Sequence, residues 1–140
     1  MSQEHVEIVR RCIELFNSRD LTQALELLDP DVELDLSRNI FNPDIYRGHA
    51  GIERWRDVVD DVWEDFHGKV EDLVDADDKV IGSFTMGGKG KESGVEVTMR
   101  IFSIWTFRDS KIVKVVGGFR DRAEVFEAAG LADDASAEAS

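Results

Sequence analysis

A single cysteine among 140 residues, Cys12, leaves nothing from which to build an internal disulfide or a cysteine-based metal cluster. The three histidines, His5, His49 and His67, are too scattered to suggest a metal site. No Gly-x-Ser-x-Gly elbow is present, so nothing points to an acyl-enzyme nucleophile. Basic residues are scarce: 17 Lys and Arg face 30 Asp and Glu, a net charge of -13. Such a field repels phosphate backbones and anionic lipid, which removes nucleic acid and membrane surfaces from the expected partners. It favours solubility, and a salt-rich source also fits. No window approaches the ~18 apolar residues that a membrane span needs. The opening Met-Ser-Gln-Glu-His has neither a basic region nor an apolar run. The expectation is a soluble, cytoplasmic protein.

What is present is enough apolar material for one core. Hydrophobic residues make up 42% of the chain and aromatics 9%, and a single domain of this size buries roughly two thirds of its unfolded surface. The stretch from Val95 to Phe107 is rich in β-branched and aromatic residues and free of Gly and Pro, which predicts a long strand. Its period of two puts Val95, Val97, Met99, Ile101, Ser103, Trp105 and Phe107 on one face. Phe102 and Ile104 make the C-terminal half of the other face apolar as well. Helices can cover one face; the second then calls for a partner, most simply another copy of the chain.

The remaining elements follow from spacing. Val6, Val9, Ile13 and Phe16 predict a first helix, capped by Ser2, with Cys12 beside its stripe. Asp20-Leu-Thr-Gln23 opens a short second helix that Asp29-Pro30-Asp31 closes. Val32, Leu34 and Leu36 predict a strand, followed by an irregular loop from Ser37 to Arg47 that carries Arg38, Phe41 and Tyr46. Ile52, Trp55, Val59, Val62, Trp63 and Phe66 predict one long helix over Gly48–Phe66. Strands follow over Val70–Ala76, Val80–Met86, the Val95–Phe107 stretch and Ile112–Phe119, with the Gly-rich segment 87–94 as a flexible hairpin. A helix over Arg122–Ala129 precedes an acidic tail, Ala132–Ser140, whose composition predicts disorder. The domain is thus residues 1–131. Its class is α+β: a cone of three N-terminal helices on a curved antiparallel sheet, with a short C-terminal helix.

Three segments, Asp29–Asp35, Tyr46–Ile52 and Trp105–Ile112, together with the closing Asp121–Leu131, give the chain its likeness. It resembles the nuclear transport factor 2-like superfamily, and most of all the SnoaL-like and ketosteroid isomerase-like branch. The resemblance implies a homodimer packed through the sheet, a pocket for a small hydrophobic molecule inside each cone, and no cofactor. It places Asp35 at the position of the general-base aspartate of ketosteroid isomerase. The match breaks where that enzyme keeps its two oxyanion donors, because Cys12 and Ser103 stand there. In SnoaL-like cyclases a base lies near the end of the chain, where this sequence has Asp121.

Each candidate has a structural reading beside the chemical one. Asp35 could abstract a proton or be a solvated carboxylate sharing a polar face with Glu33. Asp121 could be a base or the N-cap of the last helix. Arg100, interrupting an apolar strand, binds a substrate oxygen or pairs with an acid across the sheet. Tyr46 donates a hydroxyl at the pocket mouth or packs. His49 is an acid–base group or an exposed residue at the helix start. Phe16, Arg38, Trp55 and Trp63 complete the expected lining with Cys12, His49, Ser103 and Trp105. Two functions follow. One is a cofactor-free isomerase or cyclase that removes a proton next to a carbonyl, and the other is a non-catalytic binding or dimerising module. An epoxide hydrolase of the limonene type needs an Asp-Arg-Asp set, but Phe102 and Gly117 stand where the carboxylates would be.

Overall fold

The computed structural model describes residues 2–39 and 43–131. The cap expected from the Ser2 side chain, Phe41 and the tail 132–140 lie outside the described residues. In chain order the elements are α1 (Ser2–Asn17), α2 (Leu21–Glu26), β1 (Leu28–Asp35), β2 (Ile45–Arg47) and α3 (Gly48–Val62). They continue with β3 (Trp63–Ala76), β4 (Lys79–Gly90), β5 (Glu96–Arg108), β6 (Lys111–Phe119) and α4 (Arg122–Ala128). None of the described helices is long and apolar enough to cross a membrane. The class is α+β, as the patterning predicts.

The six strands form one sheet in the order β2-β1-β6-β5-β4-β3. All neighbours are antiparallel except β1 and β6, which run parallel, so the sheet is mixed rather than purely antiparallel. Strands far apart in sequence meet there, which local patterning does not encode. Helices α1 and α3 pack on one face, here the inner face, and α4 packs on the outer face. The inner core joins Val6, Val9 and Ile13 of α1 to Val32, Leu34, Val80, Phe84, Trp105, Phe107, Ile112 and Val115. Val9, Val32, Val80 and Ile112 are completely buried, and each such side chain contributes about 1.5–3 kcal/mol.

A second cluster on the outer face joins Ile81, Ile104 and Phe119 to Val125 and Phe126 of α4. The chain thus covers the apolar end of the second face of β5 with its own C-terminal helix. Asp121 caps that helix by accepting from the Glu124 N–H at 2.9 Å. Asp20 does the same for α2, accepting from the Gln23 N–H at 3.0 Å.

Three boundaries differ from the patterning. The long helix stops at Val62, and Trp63 turns extended, with φ -121° and ψ 146°. Trp63 and Phe66 therefore sit on β3, and Val62 is exposed. Their helix-like spacing arises on a strand because β3 bulges between Glu64 and His67, with Asp65 at a φ of 55°. Pairing with β4 outweighs continuation of the helix, and Asn17 secures the bulge by bonding both backbone groups of Gly68 at 2.7 and 2.8 Å. Gly87, Gly88 and Gly90, expected in a loop, belong instead to β4, and only residues 91–95 turn into β5. A side chain at Gly88 would stand 3.0 Å from the Phe66 ring, so glycine there admits the aromatic residue. Third, β1 starts at Leu28 and carries Pro30 where its register to β6 shifts, and the irregular loop contains the short strand β2. Gly51 lets α3 approach that strand, since a Cβ would lie 2.9 Å from the Tyr46 carbonyl carbon.

Candidate functional site

The inner face of β4 and β5 is built by five cross-strand pairs: Val80 with Trp105, Gly82 with Ser103, Phe84 with Ile101, Met86 with Met99, and Gly88 with Val97. None carries a charge. Because the β5–β6 pairing reaches only Phe102 opposite Phe119, the segment of β5 from Val97 to Ile101 projects past the end of β6. Val97 and Ile101 remain half-buried and Met99 is 36% exposed. An uncovered apolar end therefore adjoins the closed core.

Helices supply the opposing wall. Phe16 of α1 and Trp55 of α3 stack with centroids 5.4 Å apart, and Phe16 meets Phe66 edge-on at 6.1 Å. Trp63 lies 5.7 Å from Phe66. Behind them Ser103 is buried and its Oγ accepts a hydrogen bond from the Trp105 indole N–H at 2.9 Å. Cys12 is half-buried on α1, and burial pushes its thiol up to about 12. At neutral pH it is a weakly polar, unreactive group.

Arg56 escapes the sequence reading. Its residue is 7% exposed. The guanidinium lies 4.4 Å from the centre of the Phe16 ring, donates through Nη1 to the Phe16 carbonyl at 3.3 Å, and approaches Asp60 through Nε at 3.5 Å. Nη2 is buried with no hydrogen-bond partner. Desolvation lowers its pKa, and the Asp60 carboxylate opposes that shift. A buried donor without an acceptor costs about 1–3 kcal/mol. The signal was present: Arg56 follows Ile52 by four residues and precedes Val59 by three, on the apolar stripe of α3.

The structure separates the expected charged residues from this wall. Asp35 pairs with Val116 while its neighbour Leu34 enters the inner core, so alternation turns Asp35 to the outer face. There it accepts from both the N–H and the hydroxyl of Ser37, at 3.0 and 2.6 Å, and these bonds hold its carboxyl below the usual range. Arg100 is exposed opposite Thr85 on the same outer face. Its charge helps to lower the pKa of Glu71, after a hydrogen bond from Thr85 and the charge of Lys69. Arg38 is exposed and lies over Phe119 at 4.5 Å. Asp121 is exposed and engaged as a helix cap. Tyr46 is 2% exposed within the inner core, with Arg54 over its ring. His49 is half-buried, and its Nε2 bonds the Leu28 carbonyl at 3.0 Å, tying α3 to β1. Cys12, Phe16, Trp55, Trp63, Ser103 and Trp105 gather at the inner wall; Asp35, Asp121, Arg100 and Arg38 do not.

A groove of about 460 Å³ lies on the outer side, lined by Glu64, His67, Lys69, Thr85, Lys89 and Thr98 among others. A second, of about 280 Å³, is bordered by Arg19, Asp60, Trp63 and Lys91. Both mix charges of either sign. Among the described residues no three His, Cys, Asp or Glu side chains are grouped as metal ligands would be.

Helices α1 and α3 on one face of an open six-stranded sheet, with an apolar wall between them and the strands, define an α+β fold. The SnoaL-like domain family matches residues 9–115, and the chain belongs to that family. Solved structures share the fold. A hypothetical protein of ketosteroid isomerase-like fold from Catenulispora acidiphila, in complex with trimethylamine, is 18% identical, with 91% of this chain and 95% of that one covered and a TM-score of 0.72. TerC co-crystallised with polyporic acid is 22% identical, covering 81% and 89%, with a TM-score of 0.71. A putative polyketide cyclase from Xanthomonas campestris is also 22% identical, covering 83% and 90% at 0.68. Among curated proteins no sequence matches the chain.

Proposed function

We propose that this SnoaL-like domain binds a small, flat, largely apolar molecule against the inner wall, as a binding module without a base at that wall. The uncharged ladder from Val80–Trp105 to Gly88–Val97 carries this reading, because proton abstraction needs an ionisable group within hydrogen-bond reach of the substrate. Phe16, Trp55, Met86, Met99 and Ile101 would make the contact surface. Fold alone leaves the chemistry open, and the complexes of the neighbouring structures with trimethylamine and polyporic acid support small-molecule binding in general.

The proposal is tested by titrating the protein with methyl 2-naphthoate and following tryptophan emission. Saturable binding is expected, weakened at least ~10-fold by Met99→Asp, which sets a charge on the apolar wall. No saturable binding, or binding indifferent to that substitution, overturns it.

The second reading is the cofactor-free isomerase or cyclase. It is supported by the ionised Asp35, which ends β1 beside the loop leading to β2. At least one of Asp35→Asn and Asp121→Asn would have to depress an identified turnover for that reading to hold. Both readings include a homodimer through the outer face of β3, β4 and β5, where the larger groove lies. Light scattering should then return twice the chain mass of 15.8 kDa.

A further inference from the structure

We infer that Arg56 is the polar recognition group of the inner wall, and that it selects flat aromatic ligands bearing an anionic oxygen, such as a carboxylate. This rests on the binding reading above and adds the ligand's charge to it. Three observations converge on Arg56. Its Nη2 is buried and lacks an acceptor, although Nη1 and Nε are both engaged. That atom is closed to solvent, so an acceptor reaches it only by seating against the wall as the Phe16 and Trp55 rings make way.

The charge balance around it is uneven. Asp60 accepts from Arg19 at 2.8 Å and faces Arg56 at 3.5 Å, so two guanidinium groups share one carboxylate. Within the Arg19–Asp60–Arg56 group the surplus is positive, which favours an anionic oxygen over a neutral carbonyl. The geometry favours a flat ring. Arg56 lies over Phe16, and Phe16 stacks on the half-buried Trp55, so a planar ligand could extend the stack while its oxygen reaches the free N–H. None of this uses the charged residues that the family resemblance singles out, all of which lie on the other side of the sheet or at its end.

The test compares 2-naphthoate with its neutral methyl ester by tryptophan quenching. A chain of net charge -13 repels anions in general, so a preference for the carboxylate must come from a local cation. The wild type should bind 2-naphthoate at least about 10-fold more tightly than the ester, and Arg56→Gln should abolish the difference between the two probes. Arg56→Lys keeps the charge but loses the planar fork, and should retain only part of the preference. Should either variant fold poorly, the ¹⁵N-labelled wild type gives an independent reading: its protected guanidinium signals should shift with 2-naphthoate and stay fixed with the ester. Equal affinity of the wild type for the two probes, or a preference that survives Arg56→Gln, overturns the assignment of Arg56 alone. Failure of both probes to bind overturns the inner-wall reading itself.

Discussion

The indole N–H of Trp105 donates to Ser103 Oγ at 2.9 Å, two residues away on the same face of β5, and both residues are buried. The hydroxyl that stands where the resemblance to ketosteroid isomerase looks for an acid is thus occupied inside its own strand. Ser103→Ala removes the acceptor and leaves a buried indole donor, so it should destabilise the fold by about 1–3 kcal/mol. The check is a lower urea midpoint at unchanged slope. A midpoint equal to the wild type's would show that the bond adds nothing.

Burial raises the Cys12 thiol from 9.0 to about 12. The folded state then holds a proton that the unfolded state has already released, so stability is complete below pH 9 and falls as pH rises from 9 towards 12. At full effect the slope is about 1.4 kcal/mol per pH unit. Urea denaturation at pH 8, 9 and 10 should show this loss in the wild type beyond whatever loss Cys12→Ala shows. Matching pH profiles for the two proteins would contradict the shift.

Asp121 holds the first turn of α4, and α4 carries Val125 and Phe126 into the outer core. Asp121→Ala should therefore cost about 1 kcal/mol, whereas Asp121→Asn, an equally good N-cap, should be close to neutral. Thermal melts of both variants decide the matter. A loss as large for Asn as for Ala would mean that the charge, not the cap, is what matters.

Hydrogen bonds from Ser37 lower the Asp35 carboxyl below its ordinary 3.8. The ionised form is thus favoured by folding: its contribution is present above pH 3.8 and is lost as pH falls through the depressed value. Because the pair is solvent-accessible, the contribution stays below about 1 kcal/mol. In ¹³C carboxyl titrations by NMR, Ser37→Ala should move Asp35 up towards 3.8. An unchanged titration would remove the serine as the cause. A depressed pKa also makes Asp35 a weaker base, which sits poorly with proton abstraction.

Much of this architecture was open to reading because its signals are local. Asp20 and Asp121 cap helices through oxygens that neighbouring N–H groups must find, so residue type and spacing suffice. Alternation along β5 put Ser103, Trp105 and Phe107 on one face, and the same alternation turned Asp35 away from Leu34. The order of helices and strands, with the segments from Asp29 to Asp35 and Tyr46 to Ile52, led to the fold and the family.

Other features depend on which segments meet. Trp63 and Phe66 share the helical spacing of Ile52 and Val59, and only pairing of β3 with β4 makes them strand residues. The parallel contact of β1 with β6 joins positions about 80 residues apart, which no local pattern announces. That the apolar end of the second face of β5 is covered from within the chain was decided by α4, a short helix whose sequence does not say where it packs. Sequence alone determined periodicity, capping and the α+β class, because these arise from interactions within a few residues. Tertiary structure decided that Asp35 and Arg100 face outward, and that Arg56 is buried over Phe16 with a free N–H. Burial and partnership belong to groups that folding brings together from distant parts of the chain.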